Sequence, residues 1–93
     1  MTTVIIFHEV KNGDQWAESW RKGKGSRHEL FGTLGIKAKT FRDPKNPDST
    51  GLFLEVPDMA KLQAFLQTDE AKKAMAEDGL KVDTMRMLVE FNP

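Results

Sequence analysis

The sequence predicts an α+β domain of order β-α-β-β-α-β, a four-stranded antiparallel sheet with its helices on one face. Three observations carry this. Four β-branched or aromatic-rich runs are set apart by turn signals, two amphipathic stretches separate the first from the second and the third from the fourth, and only a short loop separates the second from the third. Ninety-three residues hold one domain, residues 1–93, near the lower limit for a single comfortable core.

"TVIIFHEV" (3–10) ends at the turn signal "KNGD" and reads as the first strand. Asp14 is the expected N-cap of a helix carrying Trp16, Ala17 and Trp20 on one stripe. The stripe resumes as Leu30, Phe31 and Leu34, with Gly35 placed to end it. Between the two pieces stands "WRKGKGSRHEL" (20–30), with four basic residues (Arg21, Lys22, Lys24, Arg27) and two glycines. As a phosphate loop it fails on order, because Lys24 is followed by Gly25 and Glu18 takes the place of the first glycine. A G-x-G-x-x-G reading fails at His28. "SRHE" does match a capping box, Ser26 as N-cap and Glu29 three residues on, so the stretch reads as a hinge between two helical segments.

"IKAKTFRD" (36–43) is the second strand, "PKNPDSTG" (44–51) a loop and "LFLEV" (52–56) the third strand. Asp58 caps a helix whose inward stripe is Met59, Leu62, Phe65 and Leu66. The stripe breaks at Thr68, which caps a further segment facing inward through Ala71, Ala74 and Met75 and ending at Gly79. "KVDTMRMLVEF" (81–91) is the last strand. Right-handed crossovers then give the ferredoxin-like strand order 4-1-3-2.

A sheet covered on one face only should be polar at alternate positions. These strands are apolar on both sides: Val4 and Ile6 against Ile5 and Phe7, Leu52, Leu54 and Val56 against Phe53, Met85, Met87 and Val89 against Leu88. The helices cover one face, so the other is expected to pack on a second copy of the chain as a homodimer through the open sheet face. The element order, the doubly apolar strands and the broken second helix ("DMAKLQAFLQTDEAKKAMAEDGL") leading into a Met/Val-rich strand resemble the dimeric α+β barrel superfamily. That group includes antibiotic-biosynthesis-type monooxygenases, muconolactone-isomerase-like proteins and haem-degrading monooxygenases. The resemblance implies a dimer with a pocket in each subunit between sheet and helices, and it implies no single reaction.

Few residues offer chemistry. His8 closes the first strand. With the third strand taken as parallel beside the first, Glu55 falls at similar height and Arg86 points from the fourth, so that His8, Glu55 and Arg86 form a candidate base, orienter and anion clamp. Lys37 or Lys39 is placed to pair with Glu55. Trp16, Trp20, Phe53 and His28 are the candidate ligand-binding residues. Two histidines with neither H-x-x-x-H nor H-E-x-x-H spacing call for no metal, and no motif calls for a cofactor. Zero cysteines remove thiolate sites, disulfides and the C-x-x-C of metal chaperones.

No apolar run approaches a membrane span and no signal peptide is evident, so a cytoplasmic protein with no membrane partner is expected. Net charge is zero, split as nine Lys/Arg against six Asp/Glu in residues 1–50 and five against eight in residues 51–93. That is far from a nucleic-acid footprint, and "TGLFLEV" lacks the aromatic stackers of an RNA-recognition strand, so no nucleic-acid partner is expected. Three functions follow in order of preference: a cofactor-independent monooxygenase or isomerase acting on a small organic molecule, a non-catalytic small-molecule-binding or sensing module, and a phosphate or nucleic-acid binder through Arg21–Arg27.

Overall fold

A computed structural model describes every residue from Met1 to Pro93 except Lys22, so the reading of Lys22 as part of a basic cluster lies outside the described residues. The elements are β1 (Thr2–Val10), α1 (Gly13–Trp20), α2 (Arg27–Gly32), β2 (Lys37–Arg42), β3 (Ser49–Val56), α3 (Met59–Leu66), α4 (Asp69–Glu77) and β4 (Leu80–Val89). They form one antiparallel sheet of order β2-β3-β1-β4, which is the expected ferredoxin-like arrangement.

Both crossovers are helix pairs, broken where the local chemistry breaks them. Ser26 Oγ accepts from Glu29 N–H at 3.2 Å and caps α2, while Glu29 reaches back to Gly25 N–H at 3.3 Å. Gly23 (φ +138°) and Gly25 (φ +82°) hold the linker in backbone conformations that a side chain disfavours. Asp58 caps α3 through Ala60 N–H and Lys61 N–H, and Thr68 Oγ1 caps α4 through Ala71 N–H at 3.1 Å. The first cap differs from expectation. Asn12, not Asp14, caps α1, accepting from Asp14 N–H and Gln15 N–H at 3.0 and 3.2 Å. Asp14 lies two positions too late to cap, within the first turn, and pairs with Arg42 instead, at 2.9 Å.

Gly13, the first residue of α1, is wedged against the loop before β3. Its N–H donates to Asp48 Oδ1 at 2.8 Å, and a Cβ built on it would stand 1.9 Å from the Pro47 carbonyl oxygen. Backbone cannot swing away as a side-chain tip can. Gly13→Ala is expected to lower unfolding stability by about 2–3 kcal/mol, the upper range for overpacking, read as a reduced urea midpoint at unchanged slope.

The core lies between the sheet and the helices. Val4, Ile6 and Val10 of β1 and Leu52, Leu54 and Val56 of β3 meet Trp16, Trp20, Leu62 and Ala71. The opposite face carries Ile5, Phe7, Phe41 and Leu88, between 38% and 55% exposed, around a half-buried Phe53. The β1–β4 register shifts between Phe7, opposite Arg86, and Glu9, opposite Lys81, so β4 carries extra residues beside His8. Thr84 Oγ1 accepts the Glu9 N–H at 2.9 Å across this bulge.

Candidate ligand cavity

Sheet alternation places His8 on the helix-covered face with Val4, Ile6 and Val10, next to the bulge. Its ring lies on the wall of a largely apolar cavity of about 70 Å³ between the sheet and all four helices. Trp16 and Trp20 of α1, Phe31 of α2, Phe65 of α3 and Met85 of β4 also line it. These rings form a chain. His8 meets Trp16 edge-on at 5.9 Å, Trp16 and Trp20 lie 6.3 Å apart, Trp20 stacks on Phe31 at 5.4 Å, and Phe31 meets Phe65 at 5.8 Å.

Three buried polar atoms in this region have no hydrogen-bond partner: His8 Nδ1, His8 Nε2 and Trp16 Nε1. Native interiors satisfy nearly all such groups, because each orphan costs its full desolvation, about 1–3 kcal/mol. Burial pushes the His8 imidazole below its ordinary value, and the negative charge of Asp78 partly offsets that. The ring is therefore neutral at neutral pH, able to accept a proton or a hydrogen bond at one nitrogen and to donate at the other.

The only other charged groups on the cavity wall, among the described residues, form a closed pair. Arg27 reaches from α2 to Asp78, the C-cap of α4, with Nε to Oδ2 at 3.0 Å and Nη2 to Oδ1 at 2.9 Å. Nη2 also meets Glu77 Oε2 at 3.2 Å. The hydrogen bonds to Asp78 hold the guanidinium still more firmly charged than an ordinary arginine.

The structure does not assemble His8, Glu55 and Arg86. β3 runs antiparallel to β1, not parallel, so His8 lies opposite Thr50 while Glu55 lies opposite Thr3, at the far end of the strand. Five residues of strand separate those positions, roughly 16 Å. Glu55 faces the open side with Lys37 opposite it, and Arg86, paired with Phe7, faces that side too. Phe53 also lies on the open face, with Lys39 Nζ 5.9 Å from its ring centre. Trp16 and Trp20 line the cavity, whereas His28 packs edge-on against Trp20 at 5.2 Å and does not. Within the basic stretch, Arg21 pairs with Glu18 at 2.6 Å and Arg27 turns inward. Arg21 and Arg27 therefore diverge.

The sequence offers Arg27 only as part of the basic stretch Arg21–Arg27 and does not single out Asp78, so their pairing is the functional candidate that sequence reasoning missed. Their pairing spans 51 positions, and no local pattern announces it.

A crystal structure of an antibiotic biosynthesis monooxygenase superposes over all of this chain and 99% of its own, with TM-score 0.71 and 18% identity. A protein from Nitrosomonas europaea assigned to the same group matches over 99% of this chain and 98% of its own, with TM-score 0.69 and 13% identity. The chain has the ferredoxin-like fold of antibiotic biosynthesis monooxygenase-like proteins. No family model and no curated protein sequence matches it. At these identities the monooxygenase-like likeness covers the backbone arrangement alone. Among the described residues, no helix is long and apolar enough to cross a membrane, and no group of three His, Asp or Glu side chains is placed to hold a metal ion.

Proposed function

We propose that the chain binds a small, mostly apolar organic molecule in the cavity between sheet and helices, and that His8 exchanges a proton with it. One observation carries this reading: a buried imidazole with neither nitrogen partnered, on the wall of an aromatic-lined cavity. A ligand hydroxyl or acidic C–H would satisfy one ring nitrogen, and a ligand carbonyl would satisfy the Trp16 N–H. Apolar ring contacts would provide most of the affinity and those polar groups its orientation. A cofactor-independent monooxygenase or isomerase fits this reading, because in both the first step is removal of a proton from a bound carbon acid or phenol. The low-dielectric wall favours a base that is neutral before the transfer. A purely binding or sensing module is favoured by a different feature, since the one carboxylate on the cavity wall among the described residues is already engaged by Arg27.

The test is a thermal-shift panel of small phenols, hydroxyquinones and enolisable ketones, followed by turnover assays on whichever compounds stabilise the protein. Stabilisation that disappears in His8→Ala supports the reading. A panel in which no compound moves the melting temperature overturns it, and binding without turnover selects the sensing module.

The same reading includes a homodimer formed through the open sheet face. The resemblance to the dimeric α+β barrel superfamily implies a dimer, and Ile5, Phe7, Phe41, Phe53 and Leu88 give that face an apolar centre with Lys37, Lys39 and Arg86 around it. Sheets pack face to face about 10 Å apart, so a lysine at the centre would be buried beside its own copy. Wild-type protein is expected to scatter light as a dimer at micromolar concentration, and Phe7→Lys/Leu88→Lys as a folded monomer. A monomeric wild type sinks the dimer.

A further inference from the structure

We infer that Asp78 is a positioning residue for His8, the counter-ion that lets its ring carry a positive charge inside the cavity, and that Arg27 sets how strongly it acts. The inference rests on His8 being the proton-exchanging group of the proposed site, and it assigns a role to a carboxylate that does not touch the ligand.

A protonated imidazole in apolar surroundings is costly without an opposite charge nearby. The elements packed around His8 offer few. From α1 come the neutral rings of Trp16 and Trp20, and from α3 and β4 only apolar side chains line the cavity. Glu9 and Lys81 stand opposite each other on the outer face. Glu77 lies outside the cavity, about half exposed, and accepts from the same Arg27 Nη2 that donates to Asp78. That leaves Arg27 from α2 and Asp78 at the end of α4.

Asp78 is built to hold its place. It is 4% exposed, its backbone N–H is tied to Ala74 O at 3.0 Å, and both carboxylate oxygens accept from one guanidinium fork. A bidentate arginine fixes a carboxylate more rigidly than a lysine would. The arginine also cancels part of the field that reaches His8. The pair is therefore a graded source of negative potential, strong enough to assist proton uptake and weak enough to leave the resting ring neutral. Asp78 takes no proton in this scheme. It stabilises the imidazolium formed when His8 receives the ligand's proton, and that proton stays on the ring until it is returned.

The experiment is an NMR titration of histidine ring carbons in 13C-labelled protein. With two histidines in the chain, His28→Gln assigns the His8 signal. Asp78→Asn, which keeps an acceptor for Arg27, is expected to lower the His8 midpoint by about half a unit to one unit, below the 1–3 units typical of an unshared neighbouring charge. Arg27→Gln is expected to raise it, and Arg27→Gln/Asp78→Asn to bring it back below the Arg27→Gln value. Glu77→Gln should leave it near wild type. Circular dichroism establishes that each variant is folded. A structural role for Asp78 would change melting temperature without moving the midpoint. Coincident midpoints in Arg27→Gln and in the double variant overturn the inference. The titration needs no ligand, so a negative ligand panel removes the proposed function while this result stands or falls alone.

Discussion

His8→Leu is expected to make the protein more stable while abolishing ligand binding. The native ring is buried with two unpartnered nitrogens against a wall that is otherwise almost wholly apolar. Leucine has similar bulk and nothing to satisfy. Removing orphaned polar groups from such a wall recovers part of the 1–3 kcal/mol that each costs, so a net gain of about 1–2 kcal/mol is expected. For a domain of this size that corresponds to roughly 4–15 °C in melting temperature. Any turnover should fall by about 10²–10⁴-fold, the usual contribution of a general base. A lower melting temperature in His8→Leu would mean that the imidazole is satisfied and has no need of a ligand.

The pH dependence follows with a definite sign. Burial holds the native imidazole below its ordinary value, so as pH falls the unfolded chain takes up a proton that the folded chain refuses. The unfolded state then binds more protons, and stability rises with pH. What His8 contributes is fully present above its unfolded pKa of about 6.5 and is lost as pH falls from there toward the native value. Melting temperature should therefore decline as buffer is taken from about pH 7.5 to 5.5 across that unfolded value, and the decline should be smaller in His8→Leu.

The second large effect is expected at Asp78. Asp78→Leu leaves the Arg27 guanidinium, whose side chain is 15% exposed, without its main acceptor. Stranding one half of a buried pair costs about 3–5 kcal/mol, and the remaining bond to exposed Glu77 moderates this toward about 2–4 kcal/mol. Small domains have roughly 5–15 kcal/mol in total, so a melting temperature lower by about 10 °C or more is expected. Arg27→Met/Asp78→Leu should recover most of the loss, because an apolar pair of similar bulk needs no desolvated charge. If the double variant is no more stable than Asp78→Leu, α2 and α4 depend on something other than the burial of an unpaired cation.

These expectations draw unequally on sequence and on tertiary structure. The caps at Ser26, Asp58 and Thr68 were readable because each uses a hydroxyl or carboxylate and a backbone N–H two or three residues away. The first cap is less legible, because Asn12 and Asp14, two positions apart, are both competent acceptors. Contact with the loop at Pro47 and Asp48 decided between them. The broken helices and the two-sided strands were legible for a related reason: periodicity is a local property, fixed by 3.6-residue and 2-residue repeats.

The site was legible only in part. His8, Trp16 and Trp20 were singled out as unusual residues on apolar faces. Their grouping, however, required knowing that β3 runs antiparallel to β1, which removed Glu55 from His8 and put Arg86 on the other face. Element order, helix breaks and which strands are apolar on both sides are legible in the sequence, since neighbouring residues decide each of these. Only the packed chain shows that an arginine from a seemingly basic loop closes on Asp78, and that His8, beside a bulge in β4, faces a cavity without a partner. Both depend on where chain segments dozens of residues apart meet, and on burial that turns an ordinary polar side chain into an unsatisfied one.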